Sequence, residues 1–200
     1  STKPVEEDIY YRLPVSASLS FIGNRNRGVY QDGFQGEIYG KGSLTNKNTS
    51  QIEFHAATKN PIEFNAFTPY EEYFINYKDA NLFVHLGDKT YSASYLTEFA
   101  RYGRGAEVRY DFKKFSIGGF YNRPRFFRDI KEEFNIYSKL KIKRESEITV
   151  GYLYKTPLSE KNIYTSANTL FNSNTHLPYV AGKFQLLKNL DASGEITYSK

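Results

Sequence analysis

The stretch RGAEVRYDFKKFSIGGFYN, residues 104–122, decides how the rest of the chain is read. Ala106, Val108, Tyr110 and Phe112 alternate with Glu107, Arg109 and Asp111. After two lysines, Phe115, Ile117 and Gly119 alternate with Ser116 and Gly118. Successive side chains of an extended chain point to opposite sides, so this pattern predicts two strands joined by a tight turn, apolar on one face and charged on the other. What the apolar face touches, protein or lipid, decides the function.

The same period of two recurs along the chain. Val15, Ala17, Leu19 and Phe21 alternate with serines; Phe34, Gly36, Ile38 and Gly40 alternate with Gln35, Glu37, Tyr39 and Lys41. Ile52, Phe54 and Ala56, then Tyr73, Ile75 and Tyr77, then Leu82, Val84 and Leu86 follow it. So do Phe134, Ile136, Leu140 and Ile142 against Asn135, Lys139, Lys141 and Lys143, and Ile148, Val150, Tyr152 and Tyr154. Ala192, Gly194, Ile196 and Tyr198 close the series against Asp191, Ser193, Glu195 and Thr197. The expectation is an all-β, antiparallel up-and-down meander of about eleven strands with no amphipathic helix.

The composition agrees. Mean hydropathy is -0.60, yet aromatics reach 17% with eighteen tyrosines. A disordered chain has few aromatics, so this polarity fits strands with one apolar face. There is no cysteine, which excludes disulfides, thiol chemistry and cysteine-held metal. No apolar stretch approaches a spanning helix. The net charge of +5 is modest and the basic residues are dispersed, which excludes a nucleic-acid stripe. The opening residues do not resemble a signal peptide, so a removed signal or a piece of a longer chain is expected. Residues 1–13 read as a lead segment and 14–200 as the β region, expected to be incomplete.

Connections alternate in length. TNKNTS, KDAN, KK, RES and LKN are short. GNRNRGVYQDG, TKNPIEFNAFTP, DKTYSASYLTEFARYGRG, RPRFFRDIKE and TPLSEKNIYTSANTLFNSNTHLP are long. IEFNAF (62–67) also alternates, but placing it in a loop keeps the order. A meander puts every second connection at the same end, and short turns at one end with long loops at the other mark transmembrane β-barrels. Tyr77, Tyr110, Phe112, Tyr152, Tyr154 and Tyr198 lie near strand ends, where interfacial girdles belong. Gly36, Gly40, Gly119 and Gly194 on apolar faces would leave holes in a dry core. A transmembrane β-barrel, or a segment of one, is therefore favoured over a soluble sheet with a dry core.

The stretch LGDKTYSASYLTEFARYGRGAEV, residues 86–108, has a strand ending in Gly-Asp, a long loop, then Arg-Gly opening the next strand. In this it resembles the barrels of outer-membrane ushers and the large outer-membrane proteins of Bacteroidota-type bacteria. The resemblance implies a large barrel that exports or anchors surface proteins.

No motif assembles a nucleophile, base and orienting group, and no HExxH, Walker loop or GxSxG is present, so an enzyme is not expected. No cofactor or metal is expected. His55 and His85 read as hydrogen-bonded or solvated strand residues, and His176 stands far from both. Arg101, Arg104, Arg123, Arg125 and Arg128, interleaved with aromatics, are assigned to two neighbouring long loops as a positive rim. Such a rim would bind anionic glycans, lipopolysaccharide phosphates or an acidic protein; the plain alternative is that these arginines brace the loops against Glu98, Asp129 and Glu132. Glu107, Arg109, Asp111, Lys139, Lys141, Asp191 and Glu195 are expected to face a lumen. The functional expectation is a pore or scaffold in a Gram-negative outer membrane for export or surface anchoring of a large substrate. Its partners would be the bilayer, lipopolysaccharide and an exported protein, not nucleic acid. The alternative is a soluble all-β binding or adhesion module.

Overall fold

The computed structural model describes residues 12–45, 48–59, 70–126, 129–143, 146–158, 174–187 and 190–199. Eleven strands follow one another: β1 (Val15–Asn26), β2 (Val29–Ser43), β3 (Ser50–Ala57), β4 (Glu72–Asp79), β5 (Leu82–Tyr91), β6 (Arg101–Asp111), β7 (Phe115–Pro124), β8 (Ile130–Lys143), β9 (Ser146–Pro157), β10 (Thr175–Leu187) and β11 (Leu190–Thr197). They form one antiparallel sheet in sequence order. The alternating sequence thus folds as the expected meander. The sheet is not closed into a barrel. The IEFNAF segment lies outside the described residues. Contacts divide the chain into two compact units, Ser1–Ala80 and Asn81–Lys200.

In the first unit, Leu19 opposes Gly36, Ala17 opposes Ile38, Gly40 opposes Phe54, and Phe54 opposes Ile75. The register therefore gathers these apolar positions on one face, while Phe74, opposite His55, lies on the other. GNRNRGVYQDG is not a long loop. Asn24 pairs with Gln31 and Arg25 with Tyr30, so the hairpin continues to Arg27 and Gly28. Those two residues have φ of 50° and 83°, as a type I′ turn requires, and glycine takes such an angle without strain. Backbone ladders carry the strands past the apolar stretch, which the side-chain pattern alone does not reveal.

In the second unit, Val84 opposes Val108, Tyr110 opposes Ile117, Tyr121 opposes Phe134 and Ile136 opposes Tyr152. These side chains share the apolar face, and it is open: Ile136 is 50% exposed and Val150 54%. The polar face is the closed one: Glu133, Asn135 and Asn122 are 0% exposed. The strands curl toward that polar face, because side chains two strands apart meet there. Tyr91 of β5 reaches Phe120 of β7 at 5.3 Å between ring centroids. The Tyr179 hydroxyl of β10 donates to Asn135 Oδ1 of β8 at 3.2 Å. Gly151 on β9, opposite both Tyr137 and Tyr179, makes room for the second crossing. A Cβ there would lie 2.3 Å from the Tyr179 ring. Tyr91, Phe120, Leu153 and Tyr179 form a small buried cluster with Ala93 and Leu177 packed against it.

Candidate functional site

The connection between β5 and β6 comprises residues 92–100 and is shorter than the loop expected over 88–105, since β5 runs on to Tyr91 and β6 starts at Arg101. It is tightly folded. Ala93 N donates to Glu98 O at 3.0 Å, Glu98 N to Ser94 O at 3.2 Å, and Ala100 N to Ser92 Oγ at 2.9 Å. The loop lies across the polar face of its own sheet. Its far anchor is Glu195, on the last strand. That carboxylate accepts from Tyr95 N at 3.1 Å, from Leu96 N at 3.3 Å and from the Ser94 hydroxyl. A second anchor is Lys155 on β9, which donates to Thr97 O at 2.8 Å and to Glu98 Oε2 at 2.5 Å. The loop therefore straps β5–β6 to β9 and β11.

Beneath the strap lies a network of charges. Arg101 Nε stands 2.9 Å from Glu98 and 3.3 Å from Glu133, and Arg101 Nη1 donates to Asp129 at 2.9 Å. Asn122 Nδ2 donates to Glu133 at 3.0 Å. Burial pushes the Glu98 carboxyl up, but hydrogen bonds with Glu133, Lys155 and Arg101 outweigh it and hold Glu98 below the usual carboxylate range. Charges taken this far from water persist only when paired. Their pairing joins the loop, β6, β8 and β9 at one place.

Each expected lumen residue falls on the polar face by register. Glu107 opposes His85, Arg109 opposes Phe83, Lys139 opposes Thr149, Lys141 opposes Glu147, Glu195 opposes Ala181 and Asp191 opposes Gln185. They are mostly paired. Lys89 forms an ion pair with Glu107, Arg109 Nε lies 3.3 Å from Asp111, Lys139 lies 2.9 Å from Glu147 and Lys183 lies 3.8 Å from Asp191. A cavity of about 550 Å³ opens between the loop tip, Tyr95 and Leu96, and Glu147, Lys183, Asp191 and Glu195 on β9–β11. Tyr95 stacks on Phe99 at 4.7 Å, and both are exposed. The arrangement is a charged cavity with an aromatic tip.

The expected arginine rim does not form as one patch. Arg101 and Arg104 lie on β6, Arg123 on β7 and only Arg125 in a connection, while Arg128 lies outside the described residues. Strand alternation then separates them: Arg101 faces the polar side, whereas Arg104 and Arg123 oppose each other on the apolar side. For Arg101 the bracing role holds, with Glu98 and Asp129 as foreseen and Glu133 added. Glu132 instead accepts from the Tyr121 hydroxyl at 3.1 Å. Of the histidines, His55 lies 2.8 Å from Glu37 and 3.6 Å from Glu72, while His85 is buried beside Tyr91. His176 lies against Tyr152 and Tyr154. No group of residues suited to a metal ion occurs among the described residues.

Sequence reasoning missed Glu133, Lys155, Asn122 and Asp88 as site residues. Register alone would have put Glu133 and Lys155 side by side. Nothing local would have shown that residues 94–98 reach them. No protein-family model, curated protein or solved structure matches the chain.

Proposed function

We propose that the chain forms part of the wall of an outer-membrane β-barrel that serves as a pore or scaffold for export or surface anchoring of a large substrate. One observation carries this reading: the inverted distribution of polarity in residues 81–200. Aliphatic and aromatic side chains stand in the open on one face while Glu133, Asn122 and Asn135 are enclosed on the other. A soluble sheet hides its apolar face, because burial is worth roughly 25 cal/mol per Å². Hydrocarbon accepts the opposite arrangement, and inside it every strand must be paired with a neighbour.

The dimensions agree. On β8 the apolar face runs from Phe134 to Ile142, about 26 Å along the strand at ~3.3 Å per residue. A tilt of about 40° reduces this to about 20 Å, close to the ~25 Å apolar band of such barrels. Aromatics collect toward its margins. Tyr121, Phe134 and Tyr154 lie toward the long connections, and Tyr110, Phe112 and Phe115 toward the short ones, with Phe112 stacked on Phe115 at 4.2 Å. Among the described residues no helix is long and apolar enough to cross a membrane, so any crossing would be by strands. The strap of residues 92–100 would narrow the passage, and the paired charges below it would set which ions or segments pass. On this reading the chain would take the exporting or anchoring role that the resemblance over 86–108 implies.

The soluble adhesion module has one observation in its favour, the cluster of Tyr91, Phe120, Leu153 and Tyr179. That cluster sits on the polar face and leaves the apolar face uncovered. Separation of membranes decides between the two readings. The proposal expects the chain in the detergent-dependent outer-membrane fraction, and a stable monomer in detergent-free buffer would overturn it.

A further inference from the structure

We propose that the apolar face carries, just beyond its aromatic margin, a binding site for the phosphate of an anionic lipid headgroup, built from Arg104, Arg123 and Arg125 around the buried Asp88. The inference rests on the membrane reading above and supplies a ligand for it.

Arg104 and Arg123 are direct cross-strand partners, so two guanidinium groups adjoin on one face. Like charges so placed repel unless an anion lies between them. Asp88 of β5 flanks Arg104 on the side away from Arg123 and leaves the space between Arg104 and Arg123 for another anion. The Asp88 side chain is fully enclosed and accepts from Arg104 Nε at 3.0 Å, Arg104 Nη2 at 2.9 Å and Arg125 Nη1 at 3.1 Å. Two guanidinium groups, those of Arg104 and Arg125, therefore share one carboxylate. Arg123 is exposed and makes no ion pair among the described residues. Glu132 on β8 accepts from the Tyr121 hydroxyl through one carboxylate oxygen.

Position identifies the ligand. The arginines stand one ladder step beyond Ala106, Tyr121 and Phe134, on the same face and toward the long connections. Tyr102 and Phe126 stack beside them at 5.5 Å, and the Arg125 guanidinium lies 5.8 Å from the Phe126 ring centroid. Where hydrocarbon gives way to headgroups, aromatic rings sit at the boundary and lipid phosphates lie just outside it. Guanidinium matches phosphate with two parallel hydrogen bonds, which an ammonium group cannot. Asp88 holds two of the three guanidinium groups in place, so the site is formed before the lipid arrives.

The test uses the full chain refolded into phosphatidylcholine vesicles and titrated with phosphorylated lipid A, dephosphorylated lipid A or inorganic phosphate. The variant is Arg123→Gln, which leaves every Asp88 pair intact. The phosphorylated lipid is expected to bind about tenfold more weakly to the variant, the scale of one charged hydrogen bond. Equal affinity in the variant, or equal binding of the dephosphorylated lipid, overturns the site. Binding of inorganic phosphate as tight as that of the lipid also overturns it, by assigning the site to a free anion. Flotation of the chain with plain vesicles is read separately. A chain that floats without Arg123-dependent binding refutes the site and leaves the membrane reading intact. A chain that does not float refutes both.

Discussion

The two units share one sequence pattern and use it differently. Among the described residues of 1–80 the polar face is open in part: Ser16, Ser18 and Glu37 are exposed and the Lys41–Glu53 pair at 3.4 Å is partly so, while Gln35 and Ala57 are buried. Among the described residues of 81–200 the polar face is covered by residues 92–100, whose Glu98 is buried against it, and Glu133 and Asn135 are fully enclosed. Alternation alone assigns a face its polarity. Whether that face is covered depends on two residues far along the chain, Lys155 and Glu195. An open polar face and a strapped one should therefore respond differently to the same perturbation.

The largest effect is expected on the apolar face of the strapped unit. Val150→Arg should cost about 2–4 kcal/mol in a lipid-embedded strand near the middle of the bilayer. Urea titration of the chain in vesicles, with folding followed by gel mobility before and after heating, measures it. The same change at Ser18 on the polar face of the open unit should cost little. Equal losses at both positions would erase the distinction between the faces.

Next comes the strap. Glu195→Gln removes the charged acceptor of three loop donors and should loosen residues 94–98 by about 1–3 kcal/mol. Hydrogen exchange should then speed up at the Tyr95 and Leu96 amides and stay unchanged in β1–β3. Lys155→Met should act on the same loop. Because both anchors hold one segment, the double variant should cost less than the two losses added together. Strict additivity would mean that the loop is not one unit.

Acid should have a smaller effect of the same kind. The Glu98 carboxyl is held below its usual range in the folded chain. A group with a depressed folded value stabilises above its unfolded value and loses that contribution as pH falls toward the folded one. Exchange in residues 92–100 should therefore accelerate below the ordinary glutamate range, and Glu98→Gln should flatten the response. The smallest effect belongs to the open unit, where Lys41→Ala should change stability by less than about 1 kcal/mol, as exposed pairs do.

Much of the fold was legible because a strand's faces are written at every second residue. The pairs Val108 with Gly119 and Phe134 with Tyr154 follow from that parity once the turns are placed. The placement of Glu107, Arg109, Lys139 and Glu195 on the polar face was legible for the same reason. Two things were not. The strands run past the apolar segment on backbone hydrogen bonds, so Asn24 and Arg25 read as loop although they pair. The arginines at 101, 104 and 123 likewise read as loop, and lying on strands places them on opposite faces. The strap was hidden for a different reason: its contacts join positions about a hundred residues apart, and no local pattern encodes such a separation.

The central claim is that the apolar face of residues 81–200 meets hydrocarbon. The chain has no cysteine, so single cysteines placed at Val108, Ile136 and Val150, and at Lys139 on the other face, can each carry one nitroxide label. Collision with oxygen, which concentrates in lipid, is compared with collision with a water-soluble nickel chelate in reconstituted vesicles. The account predicts high oxygen and low nickel accessibility at 108, 136 and 150, with the reverse at 139. Labels at 108, 136 and 150 that are shielded from both reagents, as in a packed protein interior, or open to nickel, would contradict it.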